Sequence, residues 1–191
     1  MQIPQRLTPQ QFAEMAQLEA RFYGTEYIAP PEEAYRWYCR LPHSTVAATE
    51  HGRVIGFINL FPVKKEIYAR LRHGTLSDAE LLTEDLCDPN DAESELLMFL
   101  SCIVVDPDHR KDRLALRLLQ QAMLRYRPFA HLCTTVLIDT VTSDGERFAR
   151  SLGFLPLGPS AHDSLLLEQP YAALWDRVTE LLSPQAPKNE P

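Results

Sequence analysis

Leu96–Val105 reads LLMFLSCIVV, a run in which only Ser101 is polar. A strand with one wet face alternates apolar and polar residues, so a strand this apolar has to be covered on both faces. The segment that follows is equally constrained. VVDPDHRKDRLALRLL leaves the strand at Val105, turns at Asp106-Pro107 and enters a helix near Leu114. Ala115, Leu118, Leu119, Ala122 and Tyr126 recur there at helical spacing. Arg110, Lys111 and Arg113 lie between strand and helix. Cations are unfavourable at a helix N-terminus, anions are favourable, and the first N–H groups have no intrahelical partner. Basic residues placed there predict a bound anion, such as a pyrophosphate or phosphorylated ribose. On charge alone, neutralisation by Asp106, Asp108 and Asp112 in an ordinary surface loop is the equal alternative.

The rest of the chain supplies the covering layers. Thr8-Pro9-Gln10-Gln11 is an N-capping signal for a helix using Phe12, Met15, Ala16 and Phe22 and ending by Gly24, after a short strand in MQIPQRL. EEAYRWYCRL predicts a second helix, in which Tyr35, Trp37 and Tyr38 read as packing residues. TVAATE and RVIGFINLF form a hairpin across His51-Gly52. KKEIYARLRHG is a short helix, and Ser77 caps another. TEDLCDPNDAESE, acidic from Glu84 to Glu95, is a solvated loop or a rim for a cationic substrate. LCTTVLID is a buried strand, SDGERFARSLGF a helix closed by Gly153, SLLLEQ a last strand and YAALWDRVTELL a last helix. Strands and helices interleave, so the class is α/β or α+β with a mixed sheet. One domain over 1–182 is expected, with a Pro-rich flexible tail at 183–191.

Composition narrows the function. A formal net charge of −7 argues against nucleic acid as the main partner. Cys39, Cys87, Cys102 and Cys133 lie far apart without CxxC spacing, so neither a metal site nor a disulfide framework is expected. The start MQIPQRLTPQ lacks the apolar core of a signal peptide, and Leu96–Val105 is too short to cross a bilayer. A cytoplasmic protein with no membrane partner is the expectation.

VVDPDHRKDRLALRLLQQAM resembles the acyl-CoA-binding segment of the GNAT superfamily of acyl-CoA-dependent N-acyltransferases. Its pattern is an apolar strand, V-x-P, then R/Q-x-x-G-x-G/A and an amphipathic helix. Val105-Asp106-Pro107 matches the strand exit, Arg110 the R/Q position and Ala115 the final small residue. FARSLGF is similar to the family's second signature. The resemblance extends over roughly residues 1–170 and implies a mixed, mostly antiparallel central sheet flanked by helices on both faces. Two positions depart from the family. Arg113 stands at the usual first glycine, and either directs its side chain outward or clamps phosphate, the clamp being favoured here. Ala149 stands where members with a tyrosine general acid carry it; Thr142 partly replaces a frequent Asn.

The resemblance implies acetyl-CoA as co-substrate. Ile103, Val104 and Val105 would meet pantetheine through their backbone, the amides of Arg110, Lys111, Asp112, Arg113, Leu114 and Ala115 would hold the pyrophosphate, and Thr142 and Phe148 would complete the cofactor site. Direct attack by an amine needs no enzyme nucleophile, so Cys102 has a packing role. It needs a neutral amine and a polarised thioester oxygen. Val104 N–H is the expected polarising donor; Glu95 and Asp139 are candidate bases, and Ser101 could order a water. Tyr35 or Tyr38 could supply a hydroxyl. The acceptor is a small cationic amine or a peptide amine, with His73 and Asp78 as possible cleft residues, and a homodimer is possible. The alternatives are a catalytically silent CoA-sensing or protein-binding module, and an enzyme drawing acyl groups from an acyl carrier protein.

Overall fold

The computed structural model describes residues 1–24, 27–92, 94–160 and 164–183. Its elements are α1 (Pro9–Glu19), α2 (Pro31–Arg40), β1 (Thr45–Glu50), β2 (Arg53–Val63), α3 (Lys65–Arg72), β3 (Leu96–Val105), α4 (Leu114–Arg125), β4 (Cys133–Thr140), α5 (Ser143–Ser151), β5 (Leu155–Pro159), β6 (Leu165–Pro170) and α6 (Tyr171–Leu182). Short 3-10 turns occupy several connections.

The strands form one sheet in the order β1-β2-β3-β4-β6-β5. Every neighbouring pair is antiparallel except β3 and β4, which are parallel. A parallel pair needs a crossover, which α4 provides. The hairpin β1–β2 turns through His51 and Gly52, both at positive φ (50° and 80°), which matches the twist of the strands it joins.

The apolar uniformity of β3 is explained by its two covers. On one face, α1 and α2 place Phe12, Met15, Leu18 and Tyr38 against Phe57, Cys102 and Val104. Trp37 of α2 and Ile67, Tyr68 and Leu71 of α3 continue that layer over Phe61, Phe99 and Leu137. On the other face, α4 and α6 pack Leu118, Leu119, Ala122, Leu174 and Val178 over Met98, Leu100, Val105, Val136 and Leu167. The sheet is therefore mixed, mostly antiparallel and covered on both faces, as the sequence implied.

Three details differ from the sequence expectations. MQIPQRL contributes only an isolated bridge between Gln2 and Thr49 rather than a strand. α1 stops at Glu19, before Gly24, and Leu18 takes the buried place expected of Ala16 and Phe22. Ser77 caps only one 3-10 turn, Asp78–Glu80. The tail expected at 183–191 lies, apart from Ser183, outside the described residues. No helix among those described is long and apolar enough to cross a membrane.

The feature that makes a site is an irregularity in β3. Between Asn59 and Leu60 of β2 the partner jumps from Cys102 to Leu100, so Ser101 is an extra residue, a β-bulge that bends the strand. β4 pairs with β3 only as far as Leu100 and Ile138. Beyond the bulge, Ile103–Val105 and the end of β4 diverge and leave a cleft between two strands.

Candidate active site

The cleft exposes one edge of β3, and register decides which backbone groups it exposes. Asp106 N–H donates to Ile55 O at 2.9 Å, just beyond the strand. Opposed residues of an antiparallel pair alternate between hydrogen-bonded and non-bonded. Continuing that alternation along Gly56↔Val105, Phe57↔Val104 and Ile58↔Ile103 commits Val104 to β2. Leu60 N–H donates to Ser44 O at 2.9 Å, which fixes the same parity from the other side of β2. Ile103 and Val105 therefore point their N–H and C=O groups into the cleft. The expectation that Val104 N–H polarises a thioester is corrected: its amide belongs to the ladder with Phe57. Val104 still lines the cleft.

A cavity of 680 Å³ fills the cleft. Its walls come from β3, the start of α4, α5, the segment after α1 and the end of α6. Among the lining residues are Ile103, Val104, Val105, Arg110, Arg113, Leu114, Ala115, Thr142 and Phe148, every predicted cofactor residue except Lys111 and Asp112. The side chains of those two lie outside what is described.

One end of this cavity suits an anion. Helix α4 has no side-chain cap. Among the described bonds its ladder starts with Arg117 N–H to Arg113 O (3.0 Å), so the amides of Leu114, Ala115 and Leu116 belong to the first turn, at the wall they line. Arg113 makes the turn into the helix in the left-handed conformation, φ 54° and ψ 33°. Its Nη1 donates to Leu181 O at 2.7 Å, so the guanidinium is turned to the end of α6, at the wall of the cavity. Arg110 spans the mouth, with Nη1 on Asp144 Oδ2 at 3.1 Å and its guanidinium over the Phe22 ring at 5.2 Å. Thr142 Oγ1 accepts from Gly145 N–H (3.1 Å) as the cap of α5, which leaves its own O–H as a donor. The loop before α4 is tied from outside. Asp106 accepts from Arg21 Nη1 at 2.6 Å and from Asp108 N–H at 3.0 Å, and the latter bond leads in holding its carboxyl below the usual range.

A second, smaller cavity of 60 Å³ adjoins the first beside the bulge. The two share Tyr23, Ile103, Thr142 and Gly145 as walls. The smaller one is lined by Glu19, Asp78 and Asp139, with Ser101, Cys102 and Tyr27. Burial pushes the Glu19 carboxyl up to about 7, partly opposed by a hydrogen bond with Cys102 and reinforced by the charge of Asp78. Burial also pushes Asp78 up to about 7, although Ser101 Oγ–H donates to it at 3.1 Å. Burial raises Tyr23 well above an ordinary phenol and Cys102 above an ordinary thiol, so both are held protonated. An inert, protonated thiol agrees with a packing role for Cys102.

Several other expectations change. Glu95 does not join this group. It accepts from Lys65 Nζ (3.3 Å) and Thr134 Oγ1 (3.4 Å) just before β3, about 26 Å of extended strand from Ile103. Asp139 does line the smaller cavity, and so does Ser101. The described residues of the acidic loop of Glu84–Glu95 line neither cavity, and the acidic wall comes from Glu19, Asp78 and Asp139. The Tyr38 hydroxyl oxygen accepts from Leu7 N–H at 3.0 Å, and Tyr35 stacks on Tyr38; the tyrosine at the junction is Tyr23. His73 Nδ1 bonds Ala69 O on α3 at 2.6 Å, away from the cleft, whereas Asp78 is in it. Glu19 and Tyr23 gave one local signal, an acidic residue and a tyrosine four apart where the apolar face of α1 runs out.

Comparison with known proteins bears on the fold and the family. No curated protein matches the sequence. Solved structures of similar fold include the GphF GNAT-like decarboxylase in complex with isobutyryl-CoA, 16% identical, TM-score 0.60, covering 90% of this chain and 100% of that one. The NatC complex bound to a Gag peptide and CoA is 13% identical, TM-score 0.59, with 89% and 99% covered. An agmatine N-acetyltransferase in its apo form is 15% identical, TM-score 0.57, with 88% and 97% covered. At such identities the likeness is one of fold. The Acetyltransferase (GNAT) family profile, however, matches residues 12–154, from Phe12 of α1 through the loop before α4 to Phe154. The chain belongs to the GNAT acetyltransferase family.

Proposed function

We propose that the protein transfers an acetyl group from acetyl-CoA to a primary amine by direct attack. The observation that carries this reading is the junction of two unlike cavities at one strand edge. The larger has an anion-binding end, apolar walls and free strand backbone groups; the smaller is acidic. A nucleotide thioester fits the first in kind and in volume. Its phosphates would lie against the Leu114–Leu116 amides and Arg110, and its pantetheine arm would add to β3 through Ile103 and Val105. The amides of Arg110 to Arg113 complete that loop.

The thioester carbonyl would then reach the junction, where Ile103 N–H is the nearest unspent backbone donor for its oxygen. An ammonium ion entering the acidic cavity must lose a proton before it can attack, and carboxyl groups raised to about 7 exchange protons near neutral pH. Tyr23, protonated and lining both cavities, stands where a departing thiolate needs a proton. The acidic wall favours a cationic amine, either a small molecule or a peptide terminus.

Isothermal titration with acetyl-CoA and with free CoA tests the first half. Micromolar binding of both is expected, and binding of neither would overturn the reading. A thiol-release assay over a panel of small amines and peptides tests the second. Release that requires an amine is expected, and binding without release would make the protein a CoA sensor.

A further inference from the structure

We infer that Glu19 is the group that takes the ammonium proton, with Asp78 as its charge partner rather than the base. This rests on the acyl-transfer reading and deepens it. Glu19 is the last residue of α1. It lines the smaller cavity together with Cys102, the residue immediately before Ile103 on β3. That places it beside the strand edge where the thioester would lie, although it is more than eighty residues away in sequence.

Partners distinguish Asp78 from Glu19, and place in the fold sets Asp139 apart. Asp78 accepts a hydroxyl bond from Ser101 and a backbone bond from Ala79, which favour its charged form and hold it in place. Asp139 belongs to β4, opposite Leu166 of β6; it lines the smaller cavity and its charge acts on Asp78, while the charge that acts on Glu19 is that of Asp78. Beside Glu19 the group that favours its charged form is the Cys102 thiol, a weak donor. A carboxylate held only weakly keeps lone pairs available to accept a proton and release it again. Tyr23 N–H donates to Glu19 O at 3.0 Å, so the two side chains follow one another at a single helical turn. A proton acceptor and a proton donor thus stand on the same backbone turn, and Tyr23 reaches both cavities.

Among the described residues, the titratable groups that share the smaller cavity with Glu19 are Asp78 from the 3-10 turn, Cys102 from β3, Tyr23 and Tyr27 from the segment after α1, and Asp139 from β4. Arg110 acts on Tyr23 from across the larger cavity, and Arg21 is held by Asp106. Glu19 at about 7 is therefore divided between its two forms at neutral pH.

The step balances as follows. The ammonium gives one proton to the Glu19 carboxylate, and the amine lone pair forms the bond to the thioester carbon. When the C–S bond breaks, its electron pair leaves with sulfur. The second proton of the nitrogen passes to that sulfur through the Tyr23 hydroxyl, which gives one proton and regains one. Glu19 returns its proton to water, so acetyl-CoA and an ammonium give an amide, CoA thiol and one proton.

The test compares Glu19→Gln, Glu19→Asp and Asp78→Asn with the wild-type chain over pH 5.5–9 (about the range where either carboxyl titrates), using the best amine from the panel. In the wild type, kcat/KM is expected to rise with pH through a limb near 7, because protonated Glu19 cannot act. Glu19→Gln should lose that limb and about a hundredfold in rate, with CoA affinity by titration unchanged. Glu19→Asp should restore part of the rate and the limb. Asp78→Asn should keep the limb but move it to lower pH. Wild-type rate and limb in Glu19→Gln, or loss of the limb in Asp78→Asn, would overturn the inference. A wild type that binds acetyl-CoA but acetylates no amine would overturn the acyl-transfer reading itself.

Discussion

Arg113 is the residue where the chain meets a conformational cost for no visible gain in capping. A non-glycine residue in the left-handed region costs about 1–2 kcal/mol, and here the return is one hydrogen bond to Leu181 O. Two substitutions separate these terms. Arg113→Ala keeps the strained φ and loses the bond, so it should destabilise by about 1 kcal/mol. Arg113→Gly loses the same bond and relieves the strain, so it should lie within about 1 kcal/mol of the wild type. Urea unfolding of the two variants reads the difference; an alanine variant as stable as the glycine variant would mean that the turn is unstrained. Arg110 is argued differently, because its guanidinium already balances Asp144 at the cavity mouth. Arg110→Glu leaves two carboxylates there, and CoA affinity should fall several-fold, more at low salt than at high. Unchanged affinity would remove Arg110 from the anion end. That Arg110 and Arg113 stand at the cavity wall was legible because the position is local: a base beside a helix start. Glu19 was not, because an acidic residue at a helix end acquires its meaning only from Cys102 and Asp78, which no spacing along the chain joins to it.

At the scale of the element, β3 shows both what a sequence discloses and what it withholds. Its bounds, Leu96–Val105, could be read directly, because an apolar run ending at V-x-P marks both the burial and the exit. The direction of each amide could not, since that depends on the partner strand, and the bulge at Ser101 shifts the parity along the strand. Val104 and Ile103 therefore exchange roles relative to a reading by position. Proline substitution reports this difference, because proline removes one N–H donor. Val104→Pro breaks a ladder bond to β2 inside the sheet and should cost about 3 kcal/mol or more. Ile103→Pro removes a donor that faces the open cleft, so it should be the milder of the two in thermal unfolding, yet should weaken acetyl-CoA binding about tenfold or more. If Ile103→Pro were the more disruptive to folding, the assigned parity would be wrong. Glu95 follows the same logic of scale: adjacent to β3 in sequence, it lies at the opposite end of the strand, where Lys65 and Thr134 occupy it.

Across the whole molecule, the acidic cavity carries a stability cost that depends on pH. Glu19 is raised by burial from 4.5 to about 7, a difference of about 2.5 units. Between these values the folded chain holds a proton that the unfolded chain has released, so stability must fall as pH rises through that window. At 1.36 kcal/mol per unit the loss is about 3 kcal/mol, a large part of the margin of an ordinary domain. Asp78 adds a loss in the same direction. Other groups oppose it: Asp106 and Glu50 are held below their ordinary values by a backbone bond and by His109, so their contributions appear as pH rises past the unfolded carboxylate range. His109, raised chiefly by Glu50, contributes below about 6.5 and loses that contribution as pH climbs through its folded value. These terms are common to the wild type and Glu19→Gln and largely cancel in their difference. The amide has no charge to desolvate, so Glu19→Gln should match the wild type near pH 4.5 and exceed it by up to about 3 kcal/mol at pH 8. Urea unfolding of both chains at the two pH values measures this directly. Curves that run parallel would show that Glu19 is as well hydrated in the folded chain as in the unfolded one. Curves that diverge as expected would mean that the group assigned to take the amine's proton lowers the stability of the fold at the pH where it would act.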